Sequence, residues 1–176
     1  MFTYLLASLP TLKLTEAPNL SAEAFLASCE RFVSVAGQAD LQAVFSPTED
    51  PPSTAVAATW LAWETQWRNA VAQQRAARRR LEASPYLRSH PGYRVDIALR
   101  VAEAYARETP LARELALTEL CWRLLDELAL QDSWGLAALY AYAVKLRLAW
   151  RWAGLTDEAG WVALEAAVRQ LEASHG

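Results

Sequence analysis

The sequence is poor in the residues that most often carry chemistry or cross-links. Its two cysteines, Cys29 and Cys121, stand far apart without a CxxC pattern, which argues against a zinc knuckle or a redox pair. Its two histidines are His90, in a segment that also contains prolines, and His175, near the end of the sequence. We therefore expect no metal site and no catalytic histidine, and we expect both thiols to be reduced in a cytosolic protein.

Glycine is also scarce, and its distribution excludes several common enzyme motifs. The six glycines are scattered as predicted helix stops and loop residues, so there is no glycine-rich phosphate loop and no GxSxG nucleophile elbow. The HExxH pattern of zinc proteases is missing as well. The residues themselves therefore predict no catalytic site, no cofactor and no small-molecule ligand.

The residues that are abundant favour helices. Ala, Leu, Glu and Arg are common, β-branched residues are few, and 176 residues can bury a sizeable core. We predict an all-α fold, a bundle of about six to seven helices with one long helix, forming a single domain over residues 1–176. Residues 2–9 are apolar but precede Pro10, so we expect a short extended segment there that lies against the helices.

An uncharged stretch in the C-terminal half predicts the central helix of this bundle. Residues 134–144 contain no charged side chain, so the helix predicted over residues 132–153 is apolar on every side along that part. Asp132 is its expected N-cap and Gly154 its expected end. Its core residues are predicted to include Trp134, Leu139 and Val144.

Caps, prolines and apolar periodicity predict the other helices. Ser21 opens a helix that buries Phe25 and Cys29 and stops at Gly37. The other predicted helices span residues 40–45, 54–83, 94–108 and 109–130, and a last one opens at Thr156 with Trp161, Leu164, Val168 and Leu171 on one face. The inner face of the helix over residues 109–130 is predicted to contain Leu111, Leu115, Leu117, Leu120, Leu124, Leu125 and Leu128. Loops are predicted at residues 46–53 and 84–92.

The long predicted helix carries a row of tryptophans. Trp60, Trp63 and Trp67 lie at steps of three and four residues, together with Val56 and Ala70. Such a row is typical of the core of a bundle, and it is also the pattern with which a helix binds a partner coiled coil. Both interpretations stay open at the level of the sequence.

A basic cluster follows at the end of the same helix. The sequence RAARRR at residues 75–80 places Arg75, Arg78, Arg79 and Arg80 within two turns. Residues 68–107 hold 9 basic and 3 acidic side chains, whereas residues 1–67 hold 2 and 7, and residues 108–176 hold 6 and 10. Because the whole chain is acidic and arginines suit a helix C-terminus, an acidic protein partner fits this cluster better than nucleic acid. We expect the four arginines to be exposed.

Patches at both ends of the sequence resemble a known family. They are YLLASLP at residues 4–10 with Leu12, then Ser21 and Phe25, and AYAVKLRLAWRW at residues 141–152 followed by Gly160. They are similar to a family of unknown function whose members are encoded beside the subunits of bacterial V/A-type rotary ATPases. The closing pattern is also similar to the helical C (or d) subunit of these ATP synthases, although this chain is much shorter.

The resemblance implies a non-catalytic accessory or C-like subunit that binds other V/A-type ATPase subunits. It would be cytoplasmic, peripheral to the membrane only through its partners, and would bind neither nucleic acid nor nucleotide. The predicted partner-binding residues are Arg75, Arg78, Arg79, Arg80, Trp60, Trp63 and Trp67. One alternative is a small helical enzyme, which a cleft lined by Tyr140, Tyr142 and buried Arg or Glu would favour. A less favoured alternative is a nucleic-acid binder that uses the four arginines.

Overall fold

The computed structural model describes residues 2–155, and within them the chain forms α-helices and no strand. The all-α prediction is therefore confirmed. The helices are α1 (Phe2–Ser8), α2 (Ala22–Cys29), α3 (Val35–Phe45), α4 (Ala55–Arg79), α5 (Val95–Tyr105), α6 (Pro110–Leu130) and α7 (Leu136–Ala153), and a short 3-10 turn lies at Ser84–Tyr86. The helix predicted from Thr156, with Trp161 on its inner face, lies outside the described residues.

Helix α7 is the central element of the fold. The short helices α2 and α3 pack together, α4, α5 and α6 pack together, and α7 contacts α1, α2, α3, α4 and α6. Leu139, Val144 and Leu146 of α7 are fully buried. The prediction of a central helix that is apolar on every side is thus confirmed, because neighbours cover α7 on several faces.

The start of α7 differs from the prediction. Trp134 is 61% exposed because it belongs to the turn before the helix, so its assignment to the core was wrong. Gly135, and not Asp132, occupies the N-cap position, and no side chain caps this helix. The Asp132 carboxylate instead fills the space beside Gly135, where an added Cβ would lie 1.7 Å from Oδ2. Gly154 does follow the last turn, as predicted.

The conformation of the N-terminal segment differs from the prediction. The expected extended segment over residues 2–9 is a helix, α1, with Leu5 buried. Pro10 lies beyond its last residue, so the proline prevents continuation of the helix but not its formation. The turn after α1 is held against α7 because the Tyr142 hydroxyl donates a hydrogen bond to the Pro10 carbonyl oxygen at 2.8 Å.

The position of Gly37 also differs from the prediction. The Ser21 cap is confirmed, since its side chain accepts from the Ala24 N–H, but α2 already ends at Cys29. Gly37 lies inside α3 and is buried. A Cβ there would come within 2.6 Å of Val33 Cγ1 and 3.3 Å of Leu136 Cδ1. The glycine is therefore explained by close packing at this point and not by a helix stop.

Helix α4 is the longest helix of the described chain, with 25 residues. It ends at Arg79, four residues earlier than predicted, because Arg80 adopts the left-handed conformation with φ 56°. The Leu81 N–H then bonds to the Ala76 carbonyl, and the Arg80 N–H to the Ala77 carbonyl, which closes the helix. Glycine is the usual residue at such a position, since a side chain there costs about 1–2 kcal/mol.

Helices α5 and α6 largely follow the predicted pattern. The inner face of α5 is formed by the buried residues Ile97, Val101, Ala104 and Tyr105. Thr109 caps α6 and Pro110 is its first residue, so this helix begins and ends within one residue of the predicted range 109–130. The inner face of α6 begins later than expected, because Leu111 is 66% exposed in the first turn and the buried stripe starts at Leu117.

Candidate functional site

The structure divides the four predicted arginines into two pairs. The Arg75 Nε donates to the Tyr105 hydroxyl at 3.1 Å. The Arg78 guanidinium donates to the Tyr105 carbonyl oxygen and lies 4.9 Å from the centroid of the Tyr105 ring. Arg79 and Arg80 are exposed and form no ion pair with any residue of the described part of the chain. All four side chains are exposed, as predicted, but only Arg79 and Arg80 are unengaged within the described fold.

The predicted tryptophan row faces the interior of the bundle. Trp60 is only 4% exposed and belongs to the core, so it is inaccessible to a partner protein. Trp63 is half-buried, and the Arg94 guanidinium covers its ring at 4.6 Å from the centroid. Trp67 is half-buried and packs against the core as well. The core interpretation of this row is confirmed, and the assignment of Trp60 as a partner-binding residue was wrong.

Arg94 is the centre of an ion-pair network that fixes the start of α5. It lies 2.8 Å from the Asp96 carboxylate and 2.6 Å from that of Glu127 in α6. The hydrogen bond from Arg94 holds the pKa of the Asp96 carboxyl below its usual range. The Arg94 guanidinium also lies over the Trp63 ring in α4, so the network contributes to the packing of α4 against α5 and α6.

The segment between α4 and α5 is held along the surface of α4 by two side chains of that helix. Asn69 binds the backbone N–H and carbonyl of Arg88 at 3.0 and 2.7 Å, and Gln66 binds those of Arg94 at 2.9 and 2.6 Å. This segment carries several exposed apolar side chains, namely Leu81, Tyr86, Leu87 and Tyr93.

The structure also contains a cleft that the sequence did not predict. It has a volume of about 860 Å³ and lies between the loop that joins α3 to α4, the first half of α4, and α7. Its polar lining includes Glu64, Arg68, Arg88, Tyr140 and Arg147. Glu64 pairs with Arg68 at 2.8 Å and lies 3.8 Å from Arg147. The cleft therefore joins charged groups that are far apart in the sequence.

Asp40 lines this cleft and holds the neighbouring loop in place. It is only 6% exposed in α3, and its two carboxylate oxygens accept hydrogen bonds from the backbone N–H groups of Ser53 and Thr54, both at 2.8 Å. Thr54 in turn caps α4. Asp40 thus attaches the proline-containing loop and the start of α4 to α3.

The two tyrosines named for the enzyme alternative have different surroundings. Tyr140 lines the cleft, is 8% exposed, and its hydroxyl forms no hydrogen bond with the described residues. Burial, and then the charges of Glu64 and Asp40, raise the pKa of Tyr140 to about 12. Tyr142 does not reach the cleft and stacks on Phe25 at a centroid distance of 5.5 Å. Of these two tyrosines, therefore, only Tyr140 can present its protonated hydroxyl to a ligand in the cleft.

The two thiols are free and buried, and we predict that they are unreactive in the folded chain. Burial raises the pKa of Cys29 to about 11 and that of Cys121 to about 12. At pH 8 the thiolate fraction should therefore be at least about 100-fold lower than in the unfolded chain, and reaction with Ellman's reagent slower by at least that factor. Labelling followed by absorbance, with and without guanidinium, checks this. Equal rates in both conditions would contradict the burial of the thiols.

Within residues 2–155, no group of three or more His, Cys, Asp or Glu side chains could hold a metal ion. His90 is half-buried, and its Nδ1 has no hydrogen-bond partner among these residues. No helix in the same range is long and apolar enough to cross a membrane. These findings concern the described part of the chain alone.

Comparison with known proteins adds no family assignment. No protein-family model, no curated protein and no solved structure matches the chain. The fold and its surfaces are therefore the basis on which a function is proposed below.

Proposed function

We propose that the chain is a non-catalytic accessory or C-like subunit of a V/A-type rotary ATPase. It binds an acidic surface of another subunit through the C-terminal end of α4, and it works in the cytoplasm, reaching the membrane only through its partners. The observation that carries the proposal is the exposure of Arg79 and Arg80 without an ionic partner among residues 2–155.

The conformation of Arg80 supports a role for this helix end. It is the one non-glycine residue of the described chain with a positive φ. The left-handed conformation costs a residue with a side chain about 1–2 kcal/mol, and a contact of the Arg80 side chain with a partner would offset that cost. Arg75 and Arg78 support the same surface indirectly, because both anchor the helix end on Tyr105.

The composition around the basic end fits a protein interface. Leu81 and Tyr86 follow it in the sequence and are 55% and 66% exposed, and Tyr93 is 68% exposed. Exposed tyrosine and arginine are the residues most often found at the energetic centres of protein interfaces. The charge speeds association with an acidic partner, and such an electrostatic contact weakens as salt increases.

We expect a charge-reversed variant, Arg79→Glu with Arg80→Glu, to lose its partner. Only these two arginines are reversed, because changing Arg75 or Arg78 would also break contacts with Tyr105. The measurement is co-purification with the candidate ATPase subunits at low and at high salt. The native chain should retain them better at low salt, and the variant should retain them at neither.

The matched control is the double change Arg31→Glu with Arg123→Glu, which reverses two arginines outside the basic segment. This control should bind like the native chain, and circular dichroism should show that both variants are folded. If the native chain retains no ATPase subunit at either salt, the rotary-ATPase role is wrong. If both double variants bind as the native chain does, the ATPase subunit remains the partner, but Arg79 and Arg80 do not form the surface that binds it.

The cleft supports a second candidate function, the binding or conversion of a small molecule. Its combination of Tyr140, Glu64 and Arg147 contains part of the arrangement that would favour the small-enzyme alternative. Volumes of about 300–1,000 Å³ are usual for small-molecule sites, so the size is suitable. The cleft can be tested independently of the basic helix end.

A further inference from the structure

We infer that the cleft between α3, α4 and α7 is a binding site for a small organic carboxylate. Three properties of the cleft lead to this ligand class: its walls, the hydrogen-bonding groups that are still available within it, and its balance of charge. None of them depends on the proposed partner of the basic helix end.

The apolar lining of the cleft is suited to the hydrocarbon part of an organic ligand. Its apolar lining includes the buried Trp60 and Val144, the exposed Leu61, and Pro51 and Pro52 of the α3–α4 loop. A flat or branched hydrocarbon group placed there would be removed from water on several sides, which stabilises the complex. A bare inorganic anion would make no use of these walls.

Two residues of α7, Tyr140 and Arg147, offer available hydrogen-bond donors in the cleft. The Tyr140 hydroxyl has no hydrogen bond in the described fold, and at neutral pH it is protonated, as a tyrosine normally is, so it can donate. Arg147 Nη1 donates to the Val44 carbonyl at 2.8 Å, but its Nη2 is 3.8 Å from Glu64, which is too far for a hydrogen bond. Arg88 is exposed, and only its backbone is bonded, to Asn69.

Two of the carboxylates that line the cleft are engaged within the fold. Both oxygens of Asp40 accept backbone N–H groups, and Glu64 accepts from Arg68 at 2.8 Å. A ligand that supplies acceptors would therefore satisfy the Tyr140 hydroxyl and the free Nη2 of Arg147 on the α7 side of the cleft. The planar guanidinium of Arg147, oriented by its bond to Val44, is suited to a carboxylate, which accepts two parallel hydrogen bonds.

The charge balance argues against a doubly charged ligand, because the cationic and anionic side chains that line the cleft are equal in number. Arg68, Arg88 and Arg147 line the cleft, and they are opposed by Asp40, Asp50 and Glu64. Because the carboxylate of Glu64 remains near the site, a doubly charged phosphate would be repelled more strongly than a carboxylate. Tyr140 and Arg147, both on α7, would bind the carboxylate, while the apolar wall would bind the rest of the molecule.

Benzoate is a suitable probe, with benzamide as its uncharged counterpart of the same shape. Titration followed by protein NMR should show one saturable site for benzoate, with a Kd on the order of 1 mM, as expected for a ligand of this size. Benzamide should bind at least about tenfold more weakly, because it lacks the charge that strengthens the bonds to Arg147 and Tyr140.

Two variants of the cleft and one control locate the binding. Tyr140→Phe removes only the hydroxyl, and Arg147→Gln removes the guanidinium with its N–H donors. Each substitution should weaken benzoate binding about tenfold. Tyr142→Phe is the matched control, because this tyrosine lies on the same helix but outside the cleft. It should leave the Kd for benzoate unchanged.

The absence of saturable benzoate binding would overturn the inference, and so would binding that Tyr140→Phe does not weaken. Equal affinities for benzoate and benzamide would also overturn it, since the carboxylate would then contribute nothing. If an acidic peptide occupies the cleft and benzoate does not, the site belongs to a protein partner instead. The variant with Arg79→Glu and Arg80→Glu should still bind benzoate, which separates this result from the proposed subunit contact.

Discussion

Replacing Leu139 with alanine should lower the free energy of unfolding by about 2–5 kcal/mol. Leu139 is fully buried in α7, where the neighbouring helices surround it, so its removal leaves a cavity that the packed bundle cannot close. The measurement is urea unfolding of the native chain and the variant, followed by circular dichroism and analysed by linear extrapolation.

The matched control is Leu130→Ala, the same chemical change at the last residue of α6, where the side chain is 75% exposed. It should cost within about 0.5 kcal/mol, and so should Arg79→Ala at the exposed end of α4. A loss at Leu130 equal to that at Leu139 would show that α7 is not the centre of the core.

Asp40→Ala should cost about 2–4 kcal/mol, the second largest effect that we expect. The substitution removes both acceptors for the backbone N–H groups of Ser53 and Thr54. The expected cost is less than the sum of two bonds to a charged acceptor, at about 1.5–3 kcal/mol each, because Ser53 is exposed and water can replace its lost acceptor. Asp40→Asn should cost less, because its carbonyl oxygen still accepts one of the two N–H groups.

The control for this prediction is Asp50→Ala, in the loop that Asp40 holds. Asp50 is exposed, so its removal should change the free energy of unfolding by no more than about 0.5 kcal/mol. Urea unfolding of the three variants should give the order Asp40→Ala, Asp40→Asn, Asp50→Ala from most to least destabilised. If Asp40→Ala unfolds at the same urea concentration as Asp50→Ala, the attachment of α4 to α3 is wrong.

Local signals in the sequence were sufficient to predict most helices. The capping residues Ser21 and Thr109 and the uncharged run of α7 depend on neighbours within a few residues, and such signals act in nearly the same way in any fold. The left-handed end of α4 was missed because arginine, unlike glycine, gives no sign of a positive φ.

Errors arose where contacts between distant segments decide the structure. Gly37 resembles a helix stop, but Val33 and, far along the chain, Leu136 occupy the space that a side chain would need. Residues 2–8 form a helix supported by packing on α7, which their own sequence does not reveal. Trp134 was assigned to the core by its type, although it precedes the helix and is exposed.

The candidate sites were predicted to different extents. The exposure of Arg79 and Arg80 follows from charge alone, because four neighbouring arginines cannot be buried without partners. The bonds of Arg75 and Arg78 to Tyr105 join residues on different helices and were not predictable from the sequence. The cleft requires the placement of Asp40, Glu64 and Arg147 on three helices, for which no short motif exists.

The central position of α7 also has a consequence for the order in which the chain can fold. Its contacts reach far back in the sequence: Tyr142 bonds to Pro10, Trp150 to Leu20 and Arg147 to Val44, across 132, 130 and 103 residues. At about 5–20 residues per second, roughly 5–20 s pass between the synthesis of Val44 and that of Arg147. During this time the apolar faces of α1, α2 and α3 lack the helix that covers them. A chain interrupted before residue 136 would therefore be exposed to aggregation, and this core can be completed only after α7 has been synthesised.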